Sequence, residues 1–131
     1  MPTLPWQSFN VAEPDRQYLI LLTYLPLKQG WHIPTFMLHT TRIRGQLRRS
    51  RGLVGYSLRA ELWAKRFWTL PAWQDEIALQ TFTQGRPHSD TMIAMTPRMG
   101  ATKFIRWKLK GSELPPSWDE ALKRWRDNPD A

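Results

Sequence analysis

The order of the secondary-structure patterns constrains this chain more than any other feature. Two strand-like runs, at residues 54–62 and 65–70, follow each other directly, and an amphipathic helical region carrying His88 comes after them. One strand and one helix precede this stretch, and one strand follows it. The order βαββαβ predicts an α+β fold of the ferredoxin-like plan, a four-stranded antiparallel sheet with both helices on one face.

The first strand and helix have clear patterns. Residues Tyr18–Leu25 form a continuous β-prone apolar run that stops at Pro26, which is typical of a central strand covered on both faces. From Ile33 onward apolar residues recur at intervals of three and four. This spacing predicts a helix from Pro34 to Arg49.

The middle of the chain predicts a hairpin followed by a helix. Apolar and polar residues alternate from Val54 to Leu62, and the next run, Lys65–Leu70, is expected to be the third strand. Pro71 is expected to end that strand. A second helix is expected to start near residue 72, because Trp73 and Ile77 are four residues apart.

A second helical segment is expected after a break at Gly85. Pro87 restarts the helix and places His88, Met92 and Met95 on one side of it. His88 is the one titratable group on that side, so it is the main candidate for a ligand or a proton acceptor.

The C-terminal third predicts one strand and one short helix. Residues 102–109 have a strand pattern, and Ser117 with Glu120 forms a capping box at the start of a helix from Trp118 to Arg126. We therefore expect three parts: an N-terminal arm at 1–16, a ferredoxin-like domain at 17–110 and a tail with a short helix at 111–131.

Composition limits the class of protein. A chain of 131 residues has room for a single core, and the absence of cysteine excludes disulfides and thiolate chemistry. The N-terminal residues contain prolines and acids where a signal peptide needs basic and then apolar residues, so we expect a cytoplasmic protein without a membrane partner. No nucleophile elbow, phosphate-binding loop or dinucleotide fingerprint is present.

Positive charge is concentrated in one region. The formal net charge is +8, and between Trp31 and Leu70 there are eight basic residues and one acid, Glu61. Such a concentration attracts anions, although it is also common on a solvated helix end. RNA-recognition modules share the βαββαβ order, but residues 65–69 lack the glycine-containing motif of their third strand. Nucleic-acid binding is therefore expected to be weak.

The predicted sheet has one face without helices. Alternating apolar residues in the second and fourth strands favour burial of that face. A homodimer that packs sheet against sheet would bury it, so a homodimer is the expected assembly.

Two segments carry a family resemblance. RFWTLPAWQDEIALQTF followed by PHSDTMIAM resembles the third strand and second helix of the antibiotic-biosynthesis-monooxygenase-like superfamily, the dimeric α+β barrels. The span Leu53–Trp125 is similar to bacterial DUF3291-like domains of unknown function and to spheroidene-monooxygenase-like proteins. The resemblance indicates the fold more strongly than the chemistry.

The resemblance implies two kinds of chemistry. Cofactor-free members oxidise activated aromatic substrates in a pocket between sheet and helices. Haem-dependent members bind haem through a histidine at the position that resembles His88. Haem-degrading members also use a tryptophan where this sequence has Ala78, and an asparagine on the first strand, where it offers Thr23. The expected cofactor is therefore none or haem.

The resulting hypothesis is a monooxygenase-like protein that binds or oxidises a hydrophobic small molecule between the second helix and the sheet. An apolar-ligand carrier without catalysis is the alternative. His88 is the candidate catalytic residue, and no metal site is expected, because His32 and His39 lack acidic neighbours. The candidate ligand-binding residues are Tyr56, Trp68, Phe82, His88, Met92 and Phe104.

Overall fold

The structure is a computed structural model that describes residues 3–128. This part of the chain contains one antiparallel sheet with the strand order β1-β3-β4-β2-β5. The predicted α+β class and ferredoxin-like order are confirmed, but the sheet has five strands where four were expected. The strands are β1 (Thr3–Ser8), β2 (Gln17–Pro26), β3 (Leu53–Glu61), β4 (Arg66–Trp73) and β5 (Lys103–Lys110).

The additional strand comes from the N-terminal residues. β1 pairs with β3 at the edge of the sheet, with Gln7 opposite Tyr56. Trp6 lies directly over Gly55, where a Cβ atom would overlap the indole ring. A glycine at this position therefore lets the edge strand pack closely, because it presents no side chain to the tryptophan.

Four α-helices accompany the sheet in the described residues. α1 corresponds closely to the predicted first helix, and α4 begins after Ser117, whose Oγ accepts a hydrogen bond from the Glu120 backbone N–H at 3.3 Å. The helices are α1 (Ile33–Arg49), α2 (Glu76–Gln84), α3 (His88–Met95) and α4 (Trp118–Asp127).

The start of α2 corrects the sequence analysis. Pro71 does not end its strand, since β4 continues to Trp73. Pro71 lies opposite Tyr56 of β3. On the side of β2, Ala72 and Thr69 are paired but Pro71 is not, so the missing N–H of the proline does not interrupt the strand. α2 begins at Glu76 because the Asp75 carboxylate accepts a hydrogen bond from the Ala78 N–H at 2.8 Å. The four-residue spacing between Trp73 and Ile77 therefore does not reflect a shared helix, because Trp73 belongs to β4 and Ile77 to α2.

Helices α1 and α2 cover one face of the sheet. A cluster of buried apolar side chains fills the space between them and the strands. Its buried members are Leu19, Leu21, Leu47, Leu53, Tyr56, Trp73, Leu79 and Phe82.

The opposite face is covered by the chain itself, and the expectation of a bare face is wrong. Trp118, Leu122 and Trp125 of α4 pack against the buried strand residues of this face, and Trp6 joins them. The Trp118 indole Nε1 donates a hydrogen bond to Ser57 Oγ at 3.0 Å. A second copy therefore cannot occupy this face unless α4 moves, and the homodimer stays a prediction.

None of the helices between residues 3 and 128 combines the length and the apolar character that crossing a membrane requires.

Candidate ligand site at the junction of α2 and α3

One buried glutamine fixes the junction between α2 and α3. Gln46, on the inner side of α1, donates a hydrogen bond from Nε2 to the Phe82 carbonyl at 2.9 Å. Its Oε1 accepts one from the His88 backbone N–H, also at 2.9 Å. The amide thus joins the end of α2 to the start of α3. The backbone of His88 is held in place by these contacts.

The side chain of His88 has a defined tautomer. Its Nδ1 lies 3.1 Å from the Thr83 carbonyl oxygen. A carbonyl oxygen only accepts hydrogen bonds, so Nδ1 carries the hydrogen and Nε2 has a free lone pair. Within residues 3–128 nothing hydrogen-bonds to Nε2, and this atom is not completely buried. Its lone pair is therefore unused and partly accessible to solvent.

The charge state of His88 also suits a proton acceptor. Burial lowers the pKa of the imidazole below 6.5, and the hydrogen bond to the Thr83 carbonyl opposes that shift only in part. The imidazole is therefore neutral near pH 7 and presents a basic nitrogen.

Two aromatic side chains near His88, Phe82 and Trp73, form what we call the aromatic wall. The Phe82 ring centroid lies 4.9 Å from that of His88 and 5.1 Å from that of Trp73. The indole Nε1 of Trp73 is buried and has no hydrogen-bond partner in the described structure. Phe82 thus packs against both the His88 imidazole and a buried indole whose N–H has no partner.

Tyr56 lies on the same side of the sheet as Phe82 and in the same cluster. Its hydroxyl accepts a hydrogen bond from Arg44 Nε at 3.0 Å, and its ring stacks on Phe9 at 5.8 Å. Tyr56 is buried by its neighbours, so it contributes to the packing around the site.

Three of the predicted ligand-binding residues lie elsewhere. Trp68 points to the opposite face of the sheet, where it contacts Tyr24 and Trp125, because alternate residues of β4 face opposite sides. Met92 is 51% exposed and Phe104 52% exposed, so neither is part of the aromatic wall. The predicted set therefore does not form one pocket.

The predicted cavity between α2 and the sheet is filled by Trp73, Leu79 and Phe82. Two of the surface clefts within residues 3–128 have volumes of about 200 and 240 Å³, and His88 lines neither of these two. The first is lined by Gln17, Tyr18, Leu19, Gln74, Asp75, Glu76 and Lys108, and the second by Asn10, Val11, Tyr18, Gly52, Val54 and Gln74.

The site does not fit haem. Nε2 of His88 is chemically suitable as an axial ligand. A planar macrocycle needs an open slot beside the imidazole. Phe82 packs against the imidazole instead, and Trp73 packs against Phe82. Nor do residues 3–128 contain a cluster of three or more His, Cys, Asp or Glu side chains that could hold a metal ion.

Three contributors to this site were not predicted from the sequence. Gln46 interrupts the apolar side of α1 between Ile43 and Leu47, and a lone polar residue at such a position is a detectable signal. Thr83 contributes only its backbone carbonyl, which side-chain patterns do not reveal. Trp73 was assigned to a helix when it belongs to β4.

Several solved structures are similar to this chain in fold. A protein from Fusobacterium nucleatum, provisionally assigned as a monooxygenase, superposes with a TM-score of 0.65 and 12% identity over 82% of this chain and 48% of its own. The chain thus spans about half the length of that protein. SnoaB from Streptomyces nogalater is a cofactor-independent oxygenase, and its structure is that of a mutant. It superposes with a TM-score of 0.58 and 13% identity over 76% of this chain and 98% of its own.

A third structure, from Nitrosomonas europaea and provisionally assigned as an antibiotic biosynthesis monooxygenase, gives a TM-score of 0.61 and 13% identity over 68% of this chain and 95% of its own. The chain has the antibiotic-biosynthesis-monooxygenase fold. The predicted superfamily resemblance is confirmed at the level of this fold, while the DUF3291-like and spheroidene-monooxygenase-like resemblance stays a prediction. No family model matches the sequence. No curated protein matches it either.

Proposed function

We propose that this chain is a monooxygenase-like protein that binds a hydrophobic, flat small molecule against Phe82 and that His88 accepts a proton from it. The observation that carries the proposal is the neutral imidazole of His88, whose tautomer is set by the Thr83 carbonyl and whose Nε2 is free. The likeness in fold to a cofactor-independent oxygenase supports this choice among the activities that a base could serve.

Each residue of the junction has a role in this proposal. Nε2 of His88 takes a proton from an acidic C–H or O–H group of the bound molecule. The positive charge that results is stabilised because Nδ1–H still donates to the Thr83 carbonyl. Gln46 keeps the His88 backbone in position, so the imidazole approaches the ligand in one orientation.

The aromatic wall supplies binding. The Phe82 ring, in contact with the imidazole, gives the site an apolar side against which the flat ligand lies. Oxidation then requires molecular oxygen: an activated methylene group and O2 give a carbonyl group and water.

The test measures oxygen uptake with anthrone as the probe, because its methylene group is acidified by the adjacent carbonyl. We expect His88→Ala to lower kcat by about a hundredfold or more with a small change in KM. His32→Ala is the matched control, since this histidine lies in the turn before α1, away from the α2–α3 junction, and should leave the rate unchanged.

Binding is measured separately by quenching of tryptophan fluorescence. Quenching by anthrone without oxygen uptake favours the alternative, a carrier for apolar ligands. If anthrone neither quenches the fluorescence nor is oxidised, the proposal for this site fails.

The homodimer and the cytoplasmic location belong to the same proposal. Because α4 covers the face that was expected to pair, a second copy has to use other surfaces. Exposed apolar side chains of Ile77, Ile93 and Phe104 are candidates for that contact. Light scattering of the wild type and of Ile93→Asp tests it, because a dimer that uses this surface becomes a monomer in the variant.

A further inference from the structure

Three turns meet at one end of the sheet. The backbone N–H of Leu27 donates to the Lys65 carbonyl at 2.8 Å, and that of Lys28 donates to the Arg98 carbonyl at 2.9 Å. Leu27 also forms an isolated β-bridge with Met99. The turns at residues 28–32, 62–65 and 96–99 are thus joined into one surface, which we call the turn end.

Large apolar side chains at the turn end face the solvent. Trp31 is 72% exposed, and Trp63, at the tip of the β3–β4 hairpin, is 83% exposed. Leu62 beside it is 46% exposed. Tryptophan is usually well buried, and Trp68 and Trp73 of the same chain are almost completely so. Two exposed indoles on one surface therefore indicate contact with something outside the chain.

The same turns carry positive charge. Lys28 and Lys65 flank the two tryptophan-bearing turns, and neither forms an ion pair with any residue of the described range. Arg98 donates to the Ala94 carbonyl and keeps its charge without an acidic partner in that range. The one acid between Trp31 and Leu70 is Glu61, and Arg66 pairs with it.

We propose that the turn end docks on the surface of an anionic lipid bilayer. Trp31 and Trp63 would enter the interfacial layer, where the indole places its apolar body among lipid and its N–H near water. Leu62 would follow them, and Lys28, Lys65 and Arg98 would lie close to the acidic headgroups. This contact is peripheral, and it is independent of the function proposed for His88.

The geometry favours lipid over nucleic acid. Single strands bind to platforms of aromatic side chains along a groove or a sheet face. The sheet face that carries Trp68 is covered by α4, and the turn end presents its indoles on separate turn tips. An exposed leucine beside one indole adds affinity for lipid but offers little to a phosphate backbone.

The test is co-sedimentation of the full chain with vesicles of phosphatidylcholine alone and of phosphatidylcholine mixed with phosphatidylserine. We expect binding to the mixed vesicles that weakens as salt is added, and loss of that binding in the double variant Trp31→Ala/Trp63→Ala. Lys28→Glu should weaken binding by at least about fivefold.

Two control variants lie at the other end of the sheet. Ile77→Ala removes an equally exposed apolar side chain, and Lys108→Glu reverses a charge near the point where β5 pairs with Leu19. Both should bind vesicles as the wild type does. The proposal is overturned if the wild type ignores the mixed vesicles, or if the controls lose as much binding as the turn-end variants. It is also overturned if the tryptophans instead prove necessary for binding a single-stranded oligonucleotide.

Discussion

Gln46 accepts a hydrogen bond from the His88 backbone N–H and donates one to the Phe82 carbonyl, each at 2.9 Å. Gln46→Leu would leave the His88 N–H without its partner, whereas the Phe82 carbonyl would keep the hydrogen bond that it accepts from the Gly85 N–H at 3.1 Å. We expect this variant to lose about 1–2 kcal/mol of unfolding free energy, since one unsatisfied buried group costs about 1–3 kcal/mol and part of that is recovered from water. Urea denaturation measures the loss. Gln80→Leu, on the exposed side of α2, is the control and should change stability by less than about 0.5 kcal/mol.

The lowered pKa of His88 makes stability depend on pH. Above its unfolded-state pKa of about 6.5 the imidazole is neutral in both states, and the full stability is present. As the pH falls below that value, the unfolded chain takes up a proton that the folded chain resists, so stability decreases until the folded pKa is reached. Wild type should therefore lose stability relative to His88→Gln as the pH falls from about 6.5 toward the lowered pKa of the folded state. Equal pH profiles for the two proteins in urea titrations would contradict a lowered pKa.

Trp125 ties α4 to the sheet. Its ring lies 5.0 Å from Tyr24 and 5.6 Å from Trp68, and its backbone carbonyl accepts a hydrogen bond from Lys103 Nζ at 2.9 Å. We expect Trp125→Ala to cost about 2–3 kcal/mol of unfolding free energy, less than for a fully buried tryptophan, and to increase binding of a hydrophobic dye. Trp63→Ala serves as the comparison, because its exposed indole contributes little to the folded state. Equal losses in the two variants would argue against α4 as a cover of the sheet.

Haem binding is expected to fail at the α2–α3 junction. Phe82 and Trp73 occupy the space that the macrocycle needs beside His88. Titration with haemin should therefore give the same absorption spectra for wild type and His88→Ala. A Soret shift that disappears in the variant would show that the junction opens to admit haem.

The strands and most helices could be predicted from the sequence because their apolar residues follow simple periods. α1 and α4 illustrate this, since both begin within one residue of the predicted position. β1 was missed because Thr3–Ser8 has a proline and few apolar residues, and it becomes a strand through its pairing with β3.

The site was harder to predict than the fold. His88 and Phe82 were expected near each other, and their rings are in contact. Trp68 was expected to bind the ligand, but alternate residues of β4 face opposite sides, and Trp73 is the tryptophan on the side that α2 covers. The role of α4 was also out of reach, because a short amphipathic helix does not reveal in its own sequence which surface it will cover.

The position of α4 has a consequence for how the protein is made. The helix is translated after all the strands that it covers. The face that carries Trp68 and Trp107 is therefore exposed to water while the nascent chain emerges from the ribosome. During that interval two nascent chains can associate through the uncovered tryptophans. The yield of native protein will therefore fall as the rate of synthesis rises. Chaperones that bind exposed apolar surfaces will restore the yield.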